Sequence, residues 1–289
     1  MERELWWRLY RHLRGAARDV DQEYVQHHPR VIAAVLVWAA RHDRPLAWAC
    51  RAGSWRGRLR PDPLPDPSTV SRRLRRTGFL VFANRLGERL RGAGPPAYFL
   101  IADGKPLVVG THSKDRDARP GRVSGGFARG YRLHALWGDR ALPEAWSVTG
   151  LSEYEGAEAE RLLAQVRGCG YLLADGGYEA SRVYDAAAAA GYQLVAPPDG
   201  RDTGGGHRYQ SRHRLRALGM FADGFGWRLL AGRGAIERRF GNLTAFGGGL
   251  SGLPAWVRRL GRVTRWVWAK LAINAARILN REQAPQRLQ

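Results

Sequence analysis

Tyr98-Phe99-Leu100-Ile101-Ala102-Asp103 is an unbroken apolar run that closes on a carboxylate, and Gly104-Lys105-Pro106 follows it. Such a run without alternation reads as a β-strand buried on both faces, the kind found in sheets covered by helices. Tyr171-Leu172-Leu173-Ala174-Asp175 repeats the pattern, followed by Gly176-Gly177-Tyr178. Residues 107–109, 131–137, 145–149 and 193–196 read as further strands, 155–167 as an amphipathic helix and 179–190 as an Ala-rich helix. Strands alternating with helices predict an α/β domain with an early antiparallel set of strands. Ligands of open α/β sheets bind at the carboxyl ends of the strands, where both aspartates stand. Each Asp-Gly pair taken alone is equally good turn chemistry.

Working outward, residues 1–96 have helical character. Leu5, Leu9 and Leu13 lie on one stripe, and residues 31–40 are a strongly apolar helical run carrying Trp38. Four prolines between Arg58 and Arg76 make a stiff connector. After Asp66-Pro67-Ser68 a capped helix is expected that buries Val70, Leu74 and Phe79 and presents Arg72, Arg73, Arg75 and Arg76. A short Arg-rich helix after another helix and a turn has the layout of a helix-turn-helix reader of DNA; a solvated basic helix on the core is the alternative. Residues 197–224, rich in Gly, Arg and His, read as an insertion or loop region over the sheet edge, and 282–289 as a tail.

The formal net charge is +21, with 44 of the 47 basic residues arginine. That balance points to a polyanionic partner. No apolar run approaches the ~18 residues of a membrane span, and the opening residues lack the basic-then-apolar layout of a signal peptide. The expected location is the cytoplasm, at the nucleoid. Cys50 and Cys169 are isolated and read as buried thiols, with no zinc spacing beside them.

One further acid stands out. Residues 207–281 hold fourteen arginines and one lysine against only Asp223 and Glu237. Residues 233–246 read as a helix, with Ile236, Phe240 and Leu243 at intervals of four and three and glycines 247–249 to stop it. Arg233 and Glu237 share a face of that helix, so a surface ion pair between them is the plain reading. Asp103, Asp175 and Glu237 together suggest metal-assisted phosphoryl transfer. A phosphodiester repels nucleophiles, and two Mg²⁺ ions about 3.5–4 Å apart activate the attacking oxygen and steady the leaving one. Mg²⁺ takes hard oxygen ligands and keeps several waters, so a few carboxylates suffice. Asp115 and Asp117 compete with Asp103 but lie among arginines in a polar stretch.

At this point the residues carry a resemblance. Asp103 at a strand end, Asp175 in Asp-Gly-Gly-Tyr and Glu237 in Arg-x-x-x-Glu-Arg-Arg-Phe resemble the DDE triad of bacterial insertion-sequence transposases with an RNase H-like core. Residues 130–136, 191–197 and 269–280 are similar to the strands after the first and second acids and to the closing helix. The resemblance spans roughly residues 97–281. It implies an RNase H-like mixed-sheet catalytic domain there, preceded by the helical, DNA-binding region 1–96. It also implies catalytic and metal-holding roles for Asp103, Asp175 and Glu237, with Mg²⁺, for which Mn²⁺ can substitute. Arg233 would support the site. Double-stranded DNA, as transposon ends and target, is the implied partner, and Arg72, Arg73, Arg76, Arg233, Arg238, Arg239, Arg258 and Arg259 are the candidate contacts. Pairing of two ends implies a homodimer in the DNA complex. The expected reaction is cleavage at the transposon end and transfer of the freed 3′-hydroxyl into target DNA. Where the fuller family signature has Tyr and Lys, this chain has Leu230 and Thr244. That departure keeps open a catalytically inactive DNA-binding protein of the same descent, beside a plain metal-dependent nuclease.

Overall fold

The computed structural model of the chain describes residues 2–17, 26–55, 60–110, 112–198, 210–246 and 248–282. The chain divides into two compact units, one of residues 1–93, 243–257 and 261–289, the other of residues 94–242 and 258–260. Among the described residues five α-helices come first: α1 (Glu2–Ala16), α2 (Pro29–Arg41), α3 (Leu46–Ala49), α4 (Pro67–Arg73) and α5 (Thr77–Arg91). The sheet follows, as β1 (Phe99–Val108), β2 (Arg119–Val123), β3 (Gly126–Trp137) and β4 (Ala145–Gly150), then α6 (Glu155–Leu163), β5 (Gly170–Leu173), α7 (Ser181–Ala189) and β6 (Tyr192–Val195). After it come α8 (Arg212–Ala222), α9 (Phe225–Leu230), α10 (Ala235–Thr244) and α11 (Leu260–Glu282). The first unit thus joins α1–α5 to nearly all of α11, and the second holds the sheet with α6–α9 and most of α10.

The first unit is built on apolar helices. Residues 32–40 of α2 are all buried, so this helix is apolar all round because it is covered all round. Leu9 and Leu13 of the expected α1 stripe are buried, and Trp6, Trp38 and Trp55 meet with ring centroids 4.6–5.5 Å apart. The Arg-rich helix is shorter than expected. α4 starts at Pro67, the Asp66 side chain makes no cap hydrogen bond, and Arg75 and Arg76 lie in the turn before α5. Val70, Leu74 and Phe79 are buried as expected. Lys270 of α11 is fully buried, and its ammonium donates to Ala40 O, Asp43 Oδ1 and Gly248 O at 2.7, 2.6 and 2.7 Å, which uses all three N–H bonds.

In the second unit the strand order is β2–β3–β1–β5–β6, with β4 also on β3. β1, β5 and β6 are parallel to one another, while β3 is antiparallel to β1, β2 and β4. One sheet face, through Leu100, Ala102, Leu172, Ala174 and Leu194, packs with Leu162 and Leu163 of α6 and Val183, Tyr184 and Ala187 of α7. Successive strand residues point to opposite faces, so Phe99, Ile101 and Asp103 lie on the other side.

Several expectations need correction. β1 does not end at Asp103: it pairs with β3 from Ile101 to Val108, which removes the Asp-Gly turn reading and absorbs residues 107–108. β5 pairs with β1 only from Phe99 to Ile101, so beyond that point β1 is open on one side, where a strand can carry Pro106. Residues 119–123 form a strand, closed onto β3 by a turn with Gly125 and Gly126 at φ +91° and +140°. Within the expected loop region, residues 212–222 are the helix α8, capped by Ser211. Its buried stripe is Arg214, Ala217 and Phe221, and Arg214 is satisfied by Glu179 and Gln210. An arginine at the head of the stripe hid the apolar period. Residues 199–209 of that region and 283–289 of the tail lie outside the described residues. Cys169 is exposed and Cys50 half-buried, so neither is the buried thiol expected; burial, then Asp66, pushes the Cys50 thiol up to about 11.

Candidate active site

The register of the sheet brings the two aspartates together. Ile101 pairs with Leu173 on parallel neighbours, so Asp103 and Asp175, each two residues further on, stand level and on the same face. Asp103 Oδ1 accepts its neighbour's amide, Gly104 N, at 2.8 Å. Asp175 caps the 3-10 turn of residues 176–178, with Oδ1 accepting from Gly177 N at 2.8 Å. Between them lies Arg233. Its Nη2 is 3.4 Å from Asp175 Oδ2 and 3.9 Å from Asp103 Oδ1, while its Nε is buried without a partner. Burial raises the Asp103 carboxyl above the usual range; the Gly104 amide and Arg233 oppose this, and Asp175 and Glu237 reinforce it. Tyr178 is buried close enough that, after burial itself, both aspartates push its phenol up.

Residues 94–274, more than half of the chain, match the transposase DDE domain family. The chain belongs to that family. No curated protein and no solved structure matches it. Membership gives the chain a transposase-type nuclease function in general terms.

This transposase places Glu237 in the first turn of α10, on an exposed position. Ile236, Phe240 and Leu243 form the buried stripe the sequence predicts, and Phe240 meets Trp137 edge to face at 5.9 Å. The i,i+4 pair between Arg233 and Glu237 is not formed. Arg233 belongs to a 3-10 turn that precedes α10 and turns to the aspartates instead. Transposases of this family typically use a divalent metal. Asp103 and Asp175 fit one by chemistry, as paired carboxylates with hard oxygen donors, one of them destabilised by burial and by neighbouring acids. Among the described residues, no three His, Cys, Asp or Glu side chains are gathered closely enough to hold an ion. Glu237 therefore acts on Asp103 through its charge but does not complete a ligand set.

The other candidate residues are scattered. Arg72 and Arg76 are exposed in the first unit, and Arg73 donates to His27 O at 3.3 Å. Arg238 is exposed on α10, and Arg239 donates to Asp139 O at 2.8 Å. Arg258 contributes its charge to Asp115. Arg259 sits at φ +73°, its amide on Asp115 and its guanidinium on Asp117. The sequence reading gave no hint of a cavity of about 390 Å³ on the face that bears the aspartates, lined by Phe99, Ile101, Trp137, Leu173, Arg228 and Arg239 among others. The signal was present: Phe99 and Ile101 are in phase with Asp103, as Leu173 is with Asp175. No helix among the described residues is long and apolar enough to cross a membrane.

Proposed function

We propose that this chain is an insertion-sequence DNA transposase that cleaves at transposon ends and joins the freed 3′-hydroxyl to target DNA. The reading rests on one observation above all: Asp103 on β1 and Asp175, two residues past the end of the parallel neighbour β5, both lie within 4 Å of Arg233, within a DDE-family match. The order β4–β3–β1–β5–β6, with β3 and β4 antiparallel and β5 and β6 parallel to β1, supports an RNase H-like core for the proposed catalytic domain, residues 97–281. Residues 1–96 are the proposed DNA-binding region, and pairing of two ends makes the working form a homodimer.

In this reading Asp103 and Asp175 would hold Mg²⁺ or Mn²⁺, with Glu237 as the third acid of the site. The ion supplies electrophilic activation of the scissile phosphate and neutralises charge on the leaving oxygen. Before loading, Arg233 lies between the two carboxylates and offsets their charge, and Arg238 and Arg258 would meet phosphate. In cleavage, water forms the new P–O bond and the 3′-oxygen leaves; in transfer, that 3′-oxygen attacks a target phosphodiester and displaces its bridging oxygen. Thr244, in place of the family lysine, favours a second reading as a DNA-binding protein without cleavage. The deciding experiment incubates DNA carrying the element's ends with the protein and Mg²⁺ or Mn²⁺. Cleavage and joining that vanish with Asp175→Asn are the expected result. Tight binding with no cleavage by the wild type sinks the catalytic reading.

A further inference from the structure

The first unit carries a cationic site that the candidate DNA contacts above leave out. A cavity of about 220 Å³ is lined by Arg8, Arg11 and His12 of α1, Arg89 of α5 and, on α11, Asn280 with an apolar floor. Three guanidiniums and an imidazole surround one hole. Among the described residues a carboxylate reaches Arg8 but neither of the other two arginines: Glu4 accepts from Arg8 at 3.1 Å. Arg11, His12 and Arg89 make no hydrogen bond or ion pair among the described residues. Burial, then the charges of Arg89 and Arg11, keeps His12 below its usual range. Gly15 makes room for the cluster, since a Cβ there would collide with the Arg89 guanidinium. Asn280 Oδ1 is buried without a partner, and rotation of that amide turns two N–H donors toward an anion.

Like charges held this close repel, and an anion between them reverses the sign of the interaction. Guanidinium forks match phosphate oxygens in a bidentate way, and duplex DNA offers one negative charge per ~1.7 Å of its axis. We propose that the α1–α5–α11 cavity seats a backbone phosphate of duplex DNA, with Arg11 and Arg89 as its principal ligands. The proposal rests on the transposase reading only in taking DNA as the partner. The seat carries no base information: it positions the duplex and adds salt-sensitive affinity.

The test measures binding of the full chain to a duplex with the element's ends and to a scrambled duplex, across a range of salt. Arg11→Gln/Arg89→Gln is compared with wild type and with Arg161→Gln/Arg182→Gln, an equal-charge control on α6 and α7. The expected result is a slope of log K against log salt lower by about 2 for the cavity variant, with the same loss on both duplexes. The control keeps the wild-type slope. A shared slope, or a loss confined to the end-bearing duplex, overturns the seat. Inorganic phosphate is the second probe. If it raises the melting temperature of wild type but not of the variant while the DNA slopes coincide, the cavity takes a free anion and the duplex assignment falls. A wild-type chain that binds neither duplex overturns the proposed function as well, whereas duplex binding with an unchanged slope overturns the seat alone.

Discussion

Two pairs of aspartates in the α/β unit differ in what their oxygens already do. Asp115 accepts from the Tyr131 hydroxyl at 2.6 Å, from Arg259 N at 3.0 Å and from Asp117 N at 3.3 Å. Asp117 accepts from Leu260 N, the first residue of α11, at 2.9 Å and from the Arg259 side chain at 3.3 Å. Burial pushes Asp115 up, but these donors and the charge of Arg258 outweigh it and hold the carboxyl below the usual range. The other pair is under-occupied. Among the described residues Asp103 Oδ2 takes no hydrogen bond, and the only cation shared by Asp103 and Asp175 is Arg233, at 3.9 and 3.4 Å respectively. A carboxylate whose lone pairs are filled by backbone amides fixes a chain. One that keeps an oxygen open, beside a second acid, can receive a ligand.

The largest effect that can break this contrast is on turnover. Asp175→Asn keeps the shape of the side chain and its bond from Gly177, yet is expected to lower cleavage and strand transfer on the order of 10³-fold or more, above about 4 kcal/mol of barrier. Asp115→Asn should leave the rate per folded molecule within a few-fold. If the two variants exchange these phenotypes in a gel-based cleavage assay, the pairs have been assigned the wrong way round.

Stability should respond in the opposite sense. Asp115→Ala strands the buried Tyr131 hydroxyl and removes the acceptor of the Arg259 amide, leaving Asp117 alone to hold that residue while its backbone stays in the left-handed region. The expected cost is about 3–4 kcal/mol in urea unfolding. Asp103→Ala removes a carboxyl that burial disfavours and should be neutral or stabilising. Equal losses for both would show that Asp103 is as structural as Asp115.

How much of this was legible depended on range. The buried runs ending at residues 103 and 175 and the stripe Ile236, Phe240 and Leu243 are local periodicity, and they emerge as strands and helix near the expected places. Where β1 stops is decided by β3, some thirty residues away, which carries the strand past Asp103. The partner of Arg233 was misread for the same reason. Sequence spacing favoured Glu237 four residues on, whereas sheet register delivered two aspartates from elements far away in the chain. The one local donor to Asp115, Asp117 N, makes it look like an ordinary turn residue, because the donors that make it a clamp come from residues 131 and 259.

His134 is the intermediate case, with one ring nitrogen satisfied by Thr149 Oγ1 at 2.8 Å and Nδ1 buried without a partner. Burial, with Arg132 added and Glu158 opposing, lowers it from 6.5 to about 4. Below 6.5 the unfolded chain therefore takes up a proton that the folded chain refuses. Stability is lost as the pH falls from 6.5, by about 2–3 kcal/mol once pH 4 is reached. His134→Gln should flatten that part of the urea-midpoint profile by this amount. A profile that is unchanged would mean that the His134 ring gains a partner on protonation, and that half-occupied groups in this sheet adapt.

The smallest expected effect bears most directly on the open pair. Arg233 and a divalent cation compete for the same two carboxylates, and the Arg233 side chain is 31% exposed, so the ion pairs it makes are screened and weak. Arg233→Gln removes the competitor but also a charge that opposes protonation of Asp103. The competitor carries a full charge within 4 Å of both carboxylates, so its removal is expected to outweigh the second effect. Mn²⁺ titrated without DNA and followed by electron paramagnetic resonance should bind roughly tenfold tighter to Arg233→Gln than to wild type, a change of about 1.4 kcal/mol. Asp175→Asn should abolish the tight site in both backgrounds. Unchanged Mn²⁺ affinity would show that Arg233 does not occupy the position of the ion; weakened affinity would show that the guanidinium sets the spacing of the aspartates for the ion instead of excluding it. In either event the contrast with Asp115 and Asp117 narrows, because the Asp103–Asp175 pair would then be a fixed structure of its own, held by an arginine where the other is held by backbone amides.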